Sequence, residues 1–189
     1  DAFKFIVDTW NRHHVGDRII GEACACAVAS TYMENSKGLH IKPSGDSGKG
    51  KSDGAKKFLH LLPEHKKLCG SLSAKSMFYN PDLIKGTIIY TDDVQLNDDI
   101  VATIKQSITN FQTETEHNTV KKQEYQKYTI PPRISWWMTS VSGFDDDQMG
   151  NRFLGVDVDG SPEQDERVFQ HQAKMERLGI TEDVVDDDV

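Results

Sequence analysis

No apolar run in this chain approaches the length of a membrane-spanning helix; the longest weakly polar stretch, Ala23 to Ser30, falls far short. No membrane partner is therefore expected, and with no leader-like segment after Asp1 the expected location is cytoplasmic. Cysteine is scarce as well. Only three are present, two of them in Cys24-Ala25-Cys26, and no Cys/His set stands at metal-ligand spacing. A disulfide scaffold and a zinc module are thereby excluded, and small buried thiols in a reducing compartment are expected instead. His13-His14 and His117 lack an acidic or Cys partner at useful spacing and read as surface or satisfied histidines.

Positive charge is also in deficit, with 22 Lys and Arg against 30 Asp and Glu and a net charge of −8. That balance excludes a chain that binds nucleic acid over its whole surface, but it is uneven. The tail from Glu182 to Val189 holds five carboxylates and no base, which leaves −3 for the remainder. Between His117 and Arg133, Lys121, Lys122, Lys127 and Arg133 face Glu124 alone, a local charge of +3. Such a patch can bind phosphates on an acidic protein.

At 189 residues and 37% hydrophobic content the chain can bury one substantial core. We expect an N-terminal helical segment over 1–37, a main domain over 38–180 and an acidic tail over 181–189. A first residue other than Met and an acidic end read as a domain taken from a longer protein.

Against these absences stands Gly45-Asp46-Ser47-Gly48-Lys49-Gly50-Lys51-Ser52, which fits G-x-x-x-x-G-K-[ST] without substitution. This is the phosphate-binding loop pattern: glycines let backbone N–H groups wrap the α- and β-phosphates, and the following helix directs its positive end at the anion. Gly45 through Asp53 are the candidate nucleotide-binding residues, namely Gly45, Asp46, Ser47, Gly48, Lys49, Gly50, Lys51, Ser52 and Asp53. Lys51 is expected on the β/γ-phosphates and Ser52 on Mg²⁺. ATP and Mg²⁺ are the expected cofactors.

The surrounding pattern supplies the strand, loop and helix this motif needs. Gly38 to Lys42 precedes it, and Ala55, Phe58, Leu59 and Leu62 follow at helical spacing. Two amphipathic helices are expected before residue 35, a short strand at Lys67 to Ser71, and a Ser73-capped helix to Tyr79. Gly86 to Thr91 is a buried strand, and Asn97 and Asp98 open a helix bearing Ile100, Val101, Ile104, Ile108 and Phe111. A hairpin is expected over Thr119 to Ile130, strands over Ile134 to Thr139 and Phe153 to Val158, and a final helix opened by Ser161-Pro162. Trp136 and Trp137, adjacent on a strand, point to opposite faces and read as core residues. Alternating strands and helices around a phosphate loop give an α/β fold with a mainly parallel sheet covered on both faces.

Asp92 and Asp93 close the buried strand. Asp92 is the candidate Mg²⁺ ligand with Ser52, since that ion takes hard oxygen donors, and Asp93 is the candidate to polarise the attacking water. Thr139, with Ser140 after it, ends the tryptophan strand where a polar group can position that water. Arg152 precedes the last strand and is the candidate charge stabiliser acting on a neighbouring subunit.

The order of phosphate loop, Ile88-Ile89-Tyr90-Thr91-Asp92-Asp93, hairpin, polar strand end and Arg152-Phe153 resembles the ATPase core of the AAA+ class. More narrowly it is similar to superfamily 3 and D5-like helicases and primase-helicases of viruses, phages and plasmids, over roughly residues 38 to 158. The resemblance implies a P-loop NTPase three-layer sandwich with N-terminal helices and a β-hairpin before the sensor strand. It also implies ATP hydrolysis coupled to DNA, a homo-oligomeric ring, and hairpin lysines Lys121, Lys122 and Lys127 on the nucleic acid. In this pattern Asp93 stands where glutamate is usual, and Thr139-Ser140 where asparagine is usual. A nucleotide-dependent regulatory switch with little hydrolysis is the alternative; a P-loop phosphotransferase is disfavoured because no arginine-rich lid insertion is present.

Overall fold

The computed structural model describes all residues except 47, 72, 93–96, 122–123, 140–146 and 181–189, and all remaining side chains except those of 119, 121, 147 and 148. Asp93, Lys122, Ser140, Ser47 and the acidic tail lie outside the described residues, as does the side chain of Lys121.

Helices α1 (Ala2–Trp10) and α2 (Arg18–Tyr32) lead into β1 (Ile41–Ser44), which delivers the phosphate loop to α3 (Lys51–His60). Then follow β2 (Lys67–Cys69), α4 (Ala74–Tyr79), β3 (Ile88–Asp92), α5 (Asp98–Thr109), the hairpin β4 (Thr115–Lys121) and β5 (Glu124–Ile130), β6 (Ser135–Thr139), a short α6 (Asp147–Gly150), β7 (Leu154–Asp157) and α7 (Pro162–Arg177). Five strands form one sheet in the order β2-β3-β6-β1-β7, and the pairings are parallel. Strand β6 therefore lies between β1 and β3, so that the carboxyl ends of all three converge on one edge. Open parallel sheets bind ligands at such an edge.

The helix starts are set locally. Asn97 accepts from the Ile100 N–H, Ser161 from the Gln164 N–H ahead of Pro162, and Ser73 and Ser76 cap each other reciprocally. The sheet is covered on both faces by two apolar clusters. Trp137, Ile41, Ile88 and Val156 pack with Trp10, Ile20 and Phe58 of the first three helices. Trp136, Ile89 and Met138 pack with Met77, Ile100 and Ile104 on the other side. The two tryptophans are 1% and 0% exposed, one in each cluster, as strand alternation requires.

Three boundaries differ from the sequence expectation. Strand β1 starts later and includes Pro43, which is tolerated because the register with β6 is confined to Ile41↔Trp137 while the β7 side runs on to Ser44. Helix α5 stops at Thr109, before Phe111, yet Phe111 is still buried because Gly38 has no Cβ; one there would lie 2.4 Å from the Phe111 ring. The hairpin begins at Thr115, four residues before the expected Thr119, extended by the pairs Thr115↔Ile130 and Glu116↔Thr129.

Candidate phosphate-loop and metal site

The loop between β1 and α3 takes a shape that its glycines permit. Gly45 has φ 138°, and a Cβ there would meet Val158 Cγ2 at 2.4 Å; Gly50 caps α3 at φ 88° in the left-handed region. Lys51 is buried, and its ammonium donates to the carbonyl oxygens of Gly45 at 2.6 Å and Asp46 at 2.7 Å. The cation is thus held inside the curl of the loop. Lys49 leaves it: its Nζ contacts both oxygens of Asp165 on α7, at 2.9 and 2.7 Å.

Ser52, in the first turn of α3, donates to Asp92 Oδ1 at 2.6 Å, and Thr139 Oγ1 donates to the same oxygen. Asp92 and Thr139 are direct partners across β3 and β6. The second carboxylate oxygen accepts from Lys56 Nζ at 2.6 Å. Partial burial pushes the Asp92 carboxyl up, but the hydrogen bonds from Lys56, Ser52 and Thr139 outweigh it and bring the pKa to about 2. Tyr90, two residues earlier on the same strand face, brings its hydroxyl to 3.4 Å from Thr139 Oγ1. Ser52 and ionised Asp92 present oxygens of the hard type that Mg²⁺ takes. Among the described residues no cluster of three or more His, Cys, Asp or Glu could hold a metal by itself.

Asp53 is tied outward. Its Oδ2 lies 2.8 Å from His14 Nδ1 and 3.2 Å from Lys57 Nζ. His14 is 5% exposed, with its ring 4.8 Å from that of Trp10. Burial lowers its pKa, but Asp17 and Asp53 more than reverse this, and the net shift is upward. At 3.5 Å from Nε2, Asp17 acts through charge, while Asp53 makes the short hydrogen bond. A cavity of about 390 Å³ opens beside the loop, lined by His14, Val15, Gly48, Lys49, Asp165 and Phe169. The turn after α1 and the helix α7 therefore flank the phosphate loop, and Gln164 Nε2 joins them by donating to the Val15 carbonyl at 2.5 Å.

With this geometry the sequence model of the family described as MTBMA_p00010 P-loop domain agrees, matching residues 1–189. The chain belongs to this P-loop domain family. The P-loop domain is 28% identical over 193 residues to the uncharacterized protein MTBMA_p00010 of Methanothermobacter marburgensis, a match covering 99% of this chain and 24% of that protein. The chain thus spans about a quarter of the relative's length. Among solved structures it is similar to a proline-to-glycine mutant of Thermotoga maritima RuvB, with TM-score 0.58 and 16% identity over 86% of this chain and 52% of that one. The fold of this P-loop domain is accordingly the α/β sandwich of P-loop NTPases, with a parallel five-stranded sheet.

Two sets of sequence candidates lie away from the loop of the P-loop domain. Arg152 is at the other end of the strands, just before Leu154, which pairs with Ile41 at the start of β1. Its Nη1 donates to the Lys105 carbonyl at 3.2 Å and to Thr109 Oγ1 at 2.8 Å in the last turns of α5. On the hairpin, Lys127 is ion-paired with Glu116 at 2.6 Å, so its charge is compensated within the hairpin. Exposed Val120 and Tyr125 face each other there as a cross-strand pair. Of the residues that sequence reasoning passed over, Lys56 and Tyr90 carried a signal: Lys56 is one helical turn after Ser52, and Tyr90 is on the strand face of Asp92. Contrary to the sequence expectation, His14 does not lack an acidic partner: Asp17, three residues on, and Asp53 both face its buried ring, whereas Asp165 carried no signal.

Among the described residues no helix is long and apolar enough to cross a membrane.

Proposed function

We propose that this domain binds and hydrolyses ATP with Mg²⁺ as the motor core of a DNA replication helicase or primase-helicase of a mobile element. The observation that carries the reading is the convergence of Ser52, Asp92 and Thr139 on one point beside the Lys51 loop. Lys51 meets the β/γ-phosphates, Ser52 and Asp92 hold Mg²⁺, and Thr139 and Asp93 orient and polarise the attacking water. Mg²⁺ held by Ser52 and Asp92 would supply neutralisation of charge on the phosphates. The ion pair from Lys56 keeps Asp92 ionised and oriented toward Ser52 before metal arrives.

Arg152 faces away from the loop of its own chain, so its action on a phosphate is in trans, in a ring of like subunits. Lys121, the last residue of β4, and Lys122, which follows it in sequence, meet DNA, with Lys127 contributing less because Glu116 already pairs it. The test is ATP turnover with and without single-stranded DNA, followed by mixing of variants. Arg152→Ala should keep nucleotide affinity and lose about 10³-fold in turnover. Mixed with Lys51→Ala protein, it should regain part of it, each subunit completing the other. DNA-independent slow turnover and a mixed sample that stays inactive although assembled would favour a nucleotide-dependent switch. The contact of Lys49 with Asp165, which joins the phosphate loop to α7, is the observation on that side.

A further inference from the structure

At the opposite edge of the sheet from the phosphate loop lies a second cavity, of about 650 Å³, lined among others by Lys37, His40, Asn110, Phe111, Gln112 and Arg152. We propose that this cavity binds an oxyanion, a carboxylate or phosphate group, between the His40 ring and the Arg152 guanidinium.

His40 Nδ1 lies 3.1 Å from the backbone nitrogen of Trp136, which can only donate. Nδ1 must therefore carry its lone pair, and the neutral ring bears its proton on Nε2. That Nε2–H has no acceptor among the described residues, although the residue is only 2% exposed. Buried donors of this kind are rare in folded proteins, because they lose water without gaining a partner. The ring cannot turn aside, held by the Trp136 bond and packed between Phe111 and Phe153 with centroids 6.0 and 5.8 Å away. Charging the ring would not help. Burial and the nearby charge of Arg152 hold its pKa down to about 4, so it stays a neutral donor near neutrality.

The rest of the lining selects the sign of the ligand. In a chain of net charge −8, the described lining contains two cations, Lys37 and Arg152, and no carboxylate. Arg152 is anchored to α5 through Nη1; among the described residues its hydrogen bonds run through that nitrogen alone. A guanidinium held at one nitrogen presents the rest of its planar fork, a geometry suited to two oxygens of one anion. A cationic or donor-only ligand would meet like groups on both sides. An oxyanion accepts from both.

Anion binding in this cavity does not require nucleotide hydrolysis. The probe is the ¹⁵N-labelled chain carrying Lys51→Ala, which disables the phosphate loop. Its histidine and arginine side-chain resonances are followed while inorganic phosphate, and separately malonate, is added. The expected result is a His40 ring in the Nε2–H form whose Nε2 signal shifts saturably together with Arg152 Nε. Arg152→Leu should abolish the His40 shift while leaving the tautomer unchanged. If free anions leave the signals alone but addition of unlabelled wild-type chain with Mg-ADP moves both, the oxyanion is presented by a second copy, and the site stands. A ring protonated at Nδ1, or signals unmoved in both arms, would overturn the proposal and leave a bound water as the partner of Nε2. Because the readout is on His40 and Arg152 themselves, it survives even if the leucine variant fails to fold.

Discussion

Ser52 and Asp92, 40 residues apart in the chain, meet through a 2.6 Å hydrogen bond in which the serine hydroxyl donates to Oδ1. The bond joins the first turn of α3 to the end of β3, with the β6 residue Thr139 on the same oxygen. Lys56 holds the other oxygen, so the carboxylate is ionised and fixed by three side chains from α3 and β6. Two oxygens of the hard type that Mg²⁺ takes are therefore aligned by the protein alone.

Asp92→Asn keeps the side-chain shape and removes the charge. Nucleotide affinity measured with Mg²⁺ should fall toward the value measured with chelator, while the chelator value changes little. Equal losses under both conditions would mean that Asp92 serves the loop's architecture and not the ion.

Lys51→Ala should lower nucleotide affinity by roughly 10- to 100-fold, since hydrogen bonds to charged groups contribute about 1.5–3 kcal/mol. It should also destabilise the nucleotide-free protein, because the buried ammonium satisfies the Gly45 and Asp46 carbonyls. Calorimetric titration and urea unfolding separate these effects. Unchanged nucleotide binding would remove Lys51 from the phosphate site.

His14 gives stability a pH dependence. Its pKa in the folded protein is raised above the ordinary 6.5, so the folded state binds the proton more tightly than the unfolded chain. The resulting stabilisation is fully present below 6.5 and is lost as pH rises through the folded value. The ring faces Asp17 and Asp53, with Lys57 behind Asp53. Urea midpoints of wild type and His14→Gln should differ most in weak acid and converge as pH rises; a difference that widens with pH would contradict the assignment.

Much of this was legible in the sequence because its signals are local. The phosphate loop is one continuous motif, and the caps Ser73, Asn97 and Ser161 lie beside the helices they start. The alternation at Trp136 and Trp137 foretold one residue in each core. What escaped was set by tertiary contact. His14 reaches Asp53 across 39 residues and Lys49 reaches Asp165 across 116, separations at which no spacing rule operates. Pro43 obscured the end of β1, since only the placement of β1 between β6 and β7 shows that its missing N–H is tolerated.

The contact of Lys49 with Asp165 couples the phosphate loop to α7, and its energy should depend on nucleotide. Both side chains are partly exposed, 26% and 42%, so in the nucleotide-free protein the pair should contribute only about 0.2–1 kcal/mol in a double-mutant cycle of Lys49→Ala and Asp165→Asn. Phosphates entering the loop bring negative charge close to Lys49 and compete with Asp165 for it. Asp165→Asn removes the competitor while retaining the hydrogen-bonding shape, so it should raise nucleotide affinity, by up to about fivefold if all of the pair's energy is recovered. The gain should vanish in the Lys49→Ala background, where there is no ammonium to release. Amide hydrogen exchange supplies the structural half of the test: nucleotide should loosen the first turns of α7 in the wild type and leave them unchanged in Asp165→Asn, which is already released. If Asp165→Asn weakens nucleotide binding instead, Asp165 supports the loop in its binding shape, and the pair is a brace and not a latch.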